Sequence, residues 1–407
     1  MPPFLLAARR RMPLFIMGML LGMGLLGCDP PDTPEAPTTF AATFTTWNEL
    51  PGWSEANAAP AAEAMLRSCS TWSSRAPDES MHPDRAWYGT VGAWQHACMR
   101  LAERPDSVSI ERRFWQLFQP IQLHVRNAEP LLTGYYEPIL NGSRTPTASY
   151  TEPLRAPPPD LVRIDLSAFR DRFEGETLLG RVDGNQVRPY YDRAAIEAGA
   201  LREHDLGFLW VDSRVDKFFL QIQGSGRIEL RDGSLTRVGY AGQNGQPYRA
   251  IGRDLIEMGE VPREEMSMQR IRDWLAAHPE QADDLMNRNA SYIFFQERTD
   301  LDPEDGPIGS QGVPLIPEHS LAVDPTFVPL GTPVWIDGTA PTAAPNDTTA
   351  VPFQRLMVAQ DTGGAIRGPL RGDVFWGNGP DAETRAGRMQ HPARWYVLVP
   401  RTVFLGS

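Results

Sequence analysis

Histidine and cysteine are scarce: seven and three among 407 residues. No histidine pair falls in an HExxH or HxH spacing, which argues against a zinc hydrolase, and no other spacing suggests a metal or cofactor site. An excess of positive charge is also lacking. The formal net charge is -12, which argues against nucleic acid as partner, because nucleic-acid binding draws on clustered Lys and Arg. No apolar run is long enough to be a comfortable transmembrane helix; the run over 12–26 falls short of the roughly 20 residues required. Internal repeats are absent.

The start of the chain has instead the layout of an export signal. Arg9, Arg10 and Arg11 precede that apolar run, which ends in Leu25, Leu26, Gly27 and Cys28. A small residue directly before cysteine fits the bacterial lipobox, so residues 1–27 read as a signal peptide and Cys28 as the lipidated residue. The alternative is an ordinary signal peptide with an incidental cysteine. Acyl chains would then anchor the protein, each buried CH2 contributing roughly 0.8 kcal/mol. Residues 28–45, rich in Pro, Thr and Ala, read as an extended tether. Cys69 and Cys98 remain. In an oxidising compartment they pair as one disulfide, or else stay as two buried thiols.

The mature length of about 380 residues is long for one hydrophobic core, so two domains are expected. Helical composition over 55–70, 84–104 and 111–118 makes the N-terminal part a helical lead-in. The middle is read as mostly β: a strand at 131–138, another at 218–223, and a hairpin whose turn is Asp232-Gly233 and whose return strand is 236–240. Residues 250–258 and 266–277 read as helices, and 292–296 as a strand. Short strands at 321–323, 333–336, 356–359, 374–376 and 395–398, separated by Gly and Pro, suggest a compact barrel, with 340–349 as an exposed loop.

The densest chemistry lies in the last hundred residues. Asp361, Thr362, Gly363 and Gly364 follow an apolar strand, and Gly372, Asp373, Val374, Phe375 and Trp376 follow a short loop later. Paired glycines let the backbone approach a ligand closely. Apolar neighbours disfavour the carboxylate of Asp373 and raise its pKa, as a general acid near neutral pH requires; Trp376 is placed to stack on a sugar ring. Aspartates beside glycines are also common turn formers. Composition and spacing do not separate Asp361 from Asp373, and together the two fit a glycosidase pair.

Several segments, in order, resemble the MltA family of membrane-bound lytic murein transglycosylases along nearly the whole mature chain. They are Thr133-Gly134-Tyr135-Tyr136-Glu137-Pro138, Gln221-Ile222-Gln223-Gly224-Ser225-Gly226, and Gly239 through Tyr248. Asn289 through Phe295, Ser320-Leu321-Ala322-Val323-Asp324, Pro329 through Val334 and Ala359 through Ile366 follow. The last two resemble the 3D domain, named for its three aspartates, which here would be Asp324, Asp361 and Asp373.

This resemblance implies a mainly β protein with a helical N-terminal segment: a double-psi β-barrel domain with a smaller inserted β domain. The expected division is 46–140 with 266–407 for the catalytic barrel, its 3D segment at about 318–400, and 141–265 for the insert. The implied activity is that of a lyase, an exotransglycosylase that cuts the β-1,4 bond between MurNAc and GlcNAc and leaves 1,6-anhydro ends. Asp373 is the implied catalytic acid and Asp361 its support, while Thr133, Tyr135, Gln223 and Ser225 line the glycan groove. Peptidoglycan strands and the membrane are the expected partners, with cell-wall synthesis proteins as candidates. The expected place is the periplasmic face of the outer membrane, although Asp29 resembles an inner-membrane retention signal. A hydrolytic glycosidase using Asp361 and Asp373, and a non-catalytic peptidoglycan-binding lipoprotein, are the competing readings.

Overall fold

The computed structural model describes residues 39–53, 58–103, 108–344 and 347–405; Cys28 and the rest of the leader and most of the tether lie outside them. Three helices follow the first strand: α1 (Ala59–Trp72), α2 (Val91–Ala102) and α3 (Ile110–Leu117). Each buries an apolar stripe, and Trp72, Trp94 and Phe114 are fully enclosed. Cys69 on α1 is bonded to Cys98 on α2, so this helical layer is covalently tied.

The helices pack on an eight-stranded sheet. Its strands are β1 (Thr39–Phe44), β2 (Phe118–Arg126), β3 (Leu131–Glu137), β13 (Ser320–Val323), β14 (Pro333–Pro341), β15 (Ala350–Asp361), β16 (Arg371–Asn378) and β17 (Ala393–Pro400). They lie in the order β1-β2-β17-β14-β15-β13-β16-β3. Most pairs are antiparallel, but β13 runs parallel to β15 and β16 parallel to β3. Strands distant in sequence thus become neighbours around β16. A helix not foreseen in the sequence, α9 (Pro380–Arg388), covers β3 and β16. Gly134 allows its approach: a Cβ there would sit 2.7 Å from the Trp376 indole nitrogen and 2.8 Å from the Ala386 backbone.

A second, six-stranded sheet has the order β12-β11-β10-β4-β9-β5. It is built from β4 (Ile139–Ser143), β5 (Glu152–Arg155), β9 (Gly207–Val211), β10 (Ser225–Leu230), β11 (Leu235–Gln243) and β12 (Ile293–Arg298). The hairpin β10–β11 turns at Asp232-Gly233, where Gly233 has φ +80° and the Asp232 side chain accepts from Ser234. A three-stranded ribbon, β6 (Val162–Asp165), β7 (Thr177–Asp183) and β8 (Gln186–Pro189), hangs beside it.

The segment 218–223, read as a strand, is helical. It belongs to α5 (Arg214–Gln223), which follows the short α4 (Arg193–Ala195). The caps override the β-like composition: Ser213 accepts from the Asp216 N–H at the start, and Gly224 closes the helix at φ +81°. The glycines of the Gly224-Ser225-Gly226 segment therefore end a helix and open β10. Helices α6 (Ile251–Glu257), α7 (Met268–Ala277) and α8 (Pro279–Asn287) pack on α5 through Phe218 and Phe219. Lys217 in α5, the one lysine in the sequence, is 1% exposed and donates to Glu152 at 2.6 Å and Glu197 at 3.0 Å.

Candidate active site

Side chains along a strand alternate between its two faces. On β16 the even positions Val374 and Trp376 enter the large core, together with Leu132 and Tyr136 of β3 and Leu321 and Val323 of β13. The odd positions lie opposite. Asp373 pairs with Thr133 of β3 on one side and with Ala322 of β13 on the other. Phe375 pairs with Tyr135 and forms with it, Ala322 and Leu315 a small separate apolar cluster.

Asp361 joins this row through a bulge. The β13–β15 register runs Ser320 to Val358 and Leu321 to Ala359, then jumps so that Ala322 meets Asp361. One extra residue, Gln360, turns into the core, where its amide donates to Ala64 and Ser68 of α1. Without the bulge the parity of β15 would send Asp361 to the other face. Asp361, Ala322, Asp373 and Thr133 therefore stand side by side across four strands.

The two carboxyls differ in their partners. Asp361 has four donors: the Tyr135 hydroxyl at 2.9 Å, the Ser310 N–H and hydroxyl at 2.8 Å each, and the Thr362 N–H at 2.9 Å. Burial raises its pKa and those bonds oppose the rise. Asp373 is half-buried by area, but its Oδ1 is sealed from solvent and accepts no hydrogen bond among the described residues. Burial pushes its carboxyl up to about 7; the Thr133 hydroxyl and the Arg371 guanidinium oppose the shift, whereas the Asp361 charge adds to it. An ungratified buried oxygen favours the neutral acid. Asp373 thus keeps an unengaged carboxyl oxygen with its pKa near neutrality, whereas the Asp361 oxygens are tied by four donors.

Tyr135 holds Asp361 and stacks obliquely on Phe375, ring centroids 5.3 Å apart. Thr133 donates to the Gly372 carbonyl at 3.4 Å. Asp324 sits off the row. Its Oδ2 accepts from the Gly368 N–H at 2.7 Å and its Oδ1 from Thr326, so it fastens the loop leading into β16. Gln223 accepts the Tyr136 N–H at 3.0 Å, which joins α5 to β3. Beside it, Arg227 of β10 donates to the buried Glu137 at 2.7 Å. Ser225 is half-buried, and its hydroxyl makes no hydrogen bond among the described residues.

Trp376 requires a correction. It lies on the core face of β16, 6% exposed, against Phe353 at 5.4 Å and with the Arg385 guanidinium 5.0 Å from its ring. The period of two that directs Asp373 outward turns its third neighbour inward, so Trp376 is a packing residue and offers no face to a sugar.

Three residues near the row received no role from the sequence. Ser310 sits in a stretch without a recognisable pattern, and Arg371 directly precedes the Gly372-Asp373 stretch. Tyr248 ends the quoted Gly239–Tyr248 segment; burial and then the Asp373 charge raise its pKa, while Arg193 lowers it. Arg193 itself is buried and donates to Gln221 and to the Asn289 and Ser291 carbonyls. Asn244, in the same segment, is fully buried and bridges the Tyr191 and Ala290 carbonyls. Among the described residues no group of three or more His, Cys, Asp or Glu is placed to hold a metal ion.

Comparison with known proteins identifies the family. Residues 131–296 match the family model described as the MltA specific insert domain, and residues 319–399 match the 3D domain. Membrane-bound lytic murein transglycosylase A of Escherichia coli (strain K12) is 35% identical over 269 residues, 65% of this chain and 64% of that protein, so the match spans a little under two thirds of that relative. The crystal structure of a membrane-bound lytic murein transglycosylase from Agrobacterium tumefaciens superposes with a TM-score of 0.76 at 34% identity, over 89% of this chain and 98% of that one. E. coli MltA with bound chitohexaose superposes at 0.62 and 28% identity, over 84% and 89% of the two chains. The mainly β architecture, the two matched domain families and the 98% coverage of the Agrobacterium structure make this chain a member of the MltA family.

Proposed function

We propose that the protein is a lytic transglycosylase that cleaves the β-1,4 bond between MurNAc and GlcNAc in peptidoglycan and leaves 1,6-anhydro-MurNAc ends. The observation that carries this reading is the contrast between Asp373, with an unpaired sealed oxygen and a pKa near 7, and Asp361, whose oxygens are already engaged. A hydrolase of the two-carboxylate kind needs a second free carboxyl. Here only one is free, and a single acid suffices if the nucleophile belongs to the substrate.

In the first step protonated Asp373 gives its proton to the glycosidic oxygen, and the bond to MurNAc C1 breaks through an oxocarbenium-like state. In the second, the Asp373 carboxylate takes the proton of the MurNAc C6 hydroxyl while that oxygen bonds to C1. No water is added, and the carboxyl returns to its starting form. Ring closure within one molecule benefits from proximity. The apolar cluster of Tyr135, Ala322, Leu315 and Phe375 lies on the same face as the acid and lowers the local polarity around it. A relative that binds chitohexaose supports a glycan as ligand.

The same reading extends to architecture and place. We take the eight-stranded sheet as the family's double-psi β-barrel and the chain from β4 to β12 as its insert, which extends the 141–265 span read from the sequence, because α6 to α8 pack on α5 of that segment. Thr133, Tyr248 and the Ser225 hydroxyl border the glycan. A lipid on Cys28 anchors the protein at the periplasmic face of the outer membrane, near cell-wall synthesis proteins.

The test is digestion of purified sacculi by the form lacking residues 1–28, with product masses. Anhydro muropeptides, lighter by one water than reducing-end products, are expected, and Asp373→Asn should release none while still binding glycan. Reducing-end products alone, or full activity in that variant, overturn the reading.

A further inference from the structure

The loop before β16 delivers one more side chain to the row. Asp324 clamps it at Gly368, and Leu370 then adopts φ +52°, a left-handed conformation that costs a non-glycine residue energy. Leu370 keeps its side chain in the core, 3% exposed, and its carbonyl accepts the Leu131 N–H at 3.0 Å. The next residue, Arg371, opens β16 opposite Leu131 and shares the outward face with Asp373. It stands two residues from the acid, roughly 7 Å along the strand.

Arg371 is half-buried, and its guanidinium makes no hydrogen bond or ion pair among the described residues. Its five N–H donors form a planar fork suited to a carboxylate. Many other arginines of this chain are engaged, as Arg227 is by Glu137 and Arg249 by Asp254. An unpaired guanidinium beside an acid whose pKa it lowers is unhelpful to proton donation, so its position calls for another role.

We infer that Arg371 is a specificity residue that binds a carboxylate of the glycan substrate. The inference rests on the glycan reading above and deepens it. Every MurNAc carries a 3-O-lactyl group. In naked strands its carboxylate is free; in peptide-bearing strands it is an amide, and the attached peptide brings its own carboxylates. GlcNAc oligomers have neither. Arg371 thus distinguishes peptidoglycan from chitin-like chains.

The experiment compares the wild type with Arg371→Gln and Arg371→Lys on three probes: naked strands from amidase-treated sacculi, intact sacculi, and chitohexaose by calorimetric binding. Arg371→Gln should lower kcat/KM about tenfold or more on a carboxylate-bearing substrate, chiefly through KM, as the loss of a charge-assisted hydrogen bond implies. Chitohexaose affinity should stay within about twofold, and Arg371→Lys should recover part of the loss. A defect confined to naked strands identifies the lactyl carboxylate, and one confined to intact sacculi identifies the peptide. Unchanged KM on both substrates, or an equal loss of chitohexaose affinity, overturns the inference. A wild-type enzyme that releases no anhydro product fails the functional reading instead, and binding of naked strands then still tests Arg371. The pH profile of Arg371→Gln separates an effect on the acid, which would move the alkaline limb upward without changing substrate preference.

Discussion

Replacing Asp373 by Asn should remove activity and, above neutral pH, make the protein more stable. The folded carboxyl holds its proton to about 7, whereas an ordinary aspartate releases it near 3.8. Between those values the native state binds more protons than the unfolded one. Stability from this group is therefore full below about pH 4, falls as pH rises towards 7, and stays low above it. At about 1.4 kcal/mol per tenfold change in acidity the ceiling is roughly 4 kcal/mol. Solvent reaching the half-buried carboxyl screens part of this, so about 2 kcal/mol is the expected gain at pH 8. Urea unfolding of both proteins at intervals from pH 4.5 to 8.5 measures the difference. The two curves should converge at the acid end and separate towards the alkaline end, in favour of Asp373→Asn. Parallel curves, or a wild type that gains on the variant as pH rises, would refute the claim that this acid is held neutral by burial.

Thr133→Val removes a hydroxyl that lowers the Asp373 pKa, so the alkaline limb of the kcat/KM profile should move to higher pH. Gly134→Ala forces a methyl to within 2.7–2.8 Å of Trp376 and Ala386, and should cost about 1–3 kcal/mol in denaturant titration. The disulfide closes a loop of sequence separation 29; Cys69→Ser with Cys98→Ser should lower unfolding free energy by about 3–4 kcal/mol.

The parts of this fold visible in the sequence are those set by local rules. The helices of the lead-in, the Asp232-Gly233 hairpin and the β16 strand follow from periodicity and turn chemistry. At Phe218 the β-like aromatic composition misleads, because the Ser213 and Gly224 caps make the segment helical. Trp376 failed for a different reason: its neighbour's role was extended to it, although alternation opposes the two. Asp361 and Asp373 were both visible as candidates, but what separates them was not. That difference depends on Ser310, about 50 residues upstream, and on a single-residue bulge at Gln360. No local pattern announces either. Arg371 was hidden for a similar reason, since its lack of a partner is a property of the folded chain alone.

The lone lysine offers an intrinsic reporter. Lys217 is enclosed in α5, so a protease specific for lysine has one internal bond to cut, and only after that helix opens. Cleavage rate would then read local opening of the segment that carries Gln223 and the link to β3, while the arginine-rich remainder stays invisible to the enzyme. Amine-directed labels face the same limit, and a surface lysine placed by mutation would be the sole reactive side-chain amine on the folded protein.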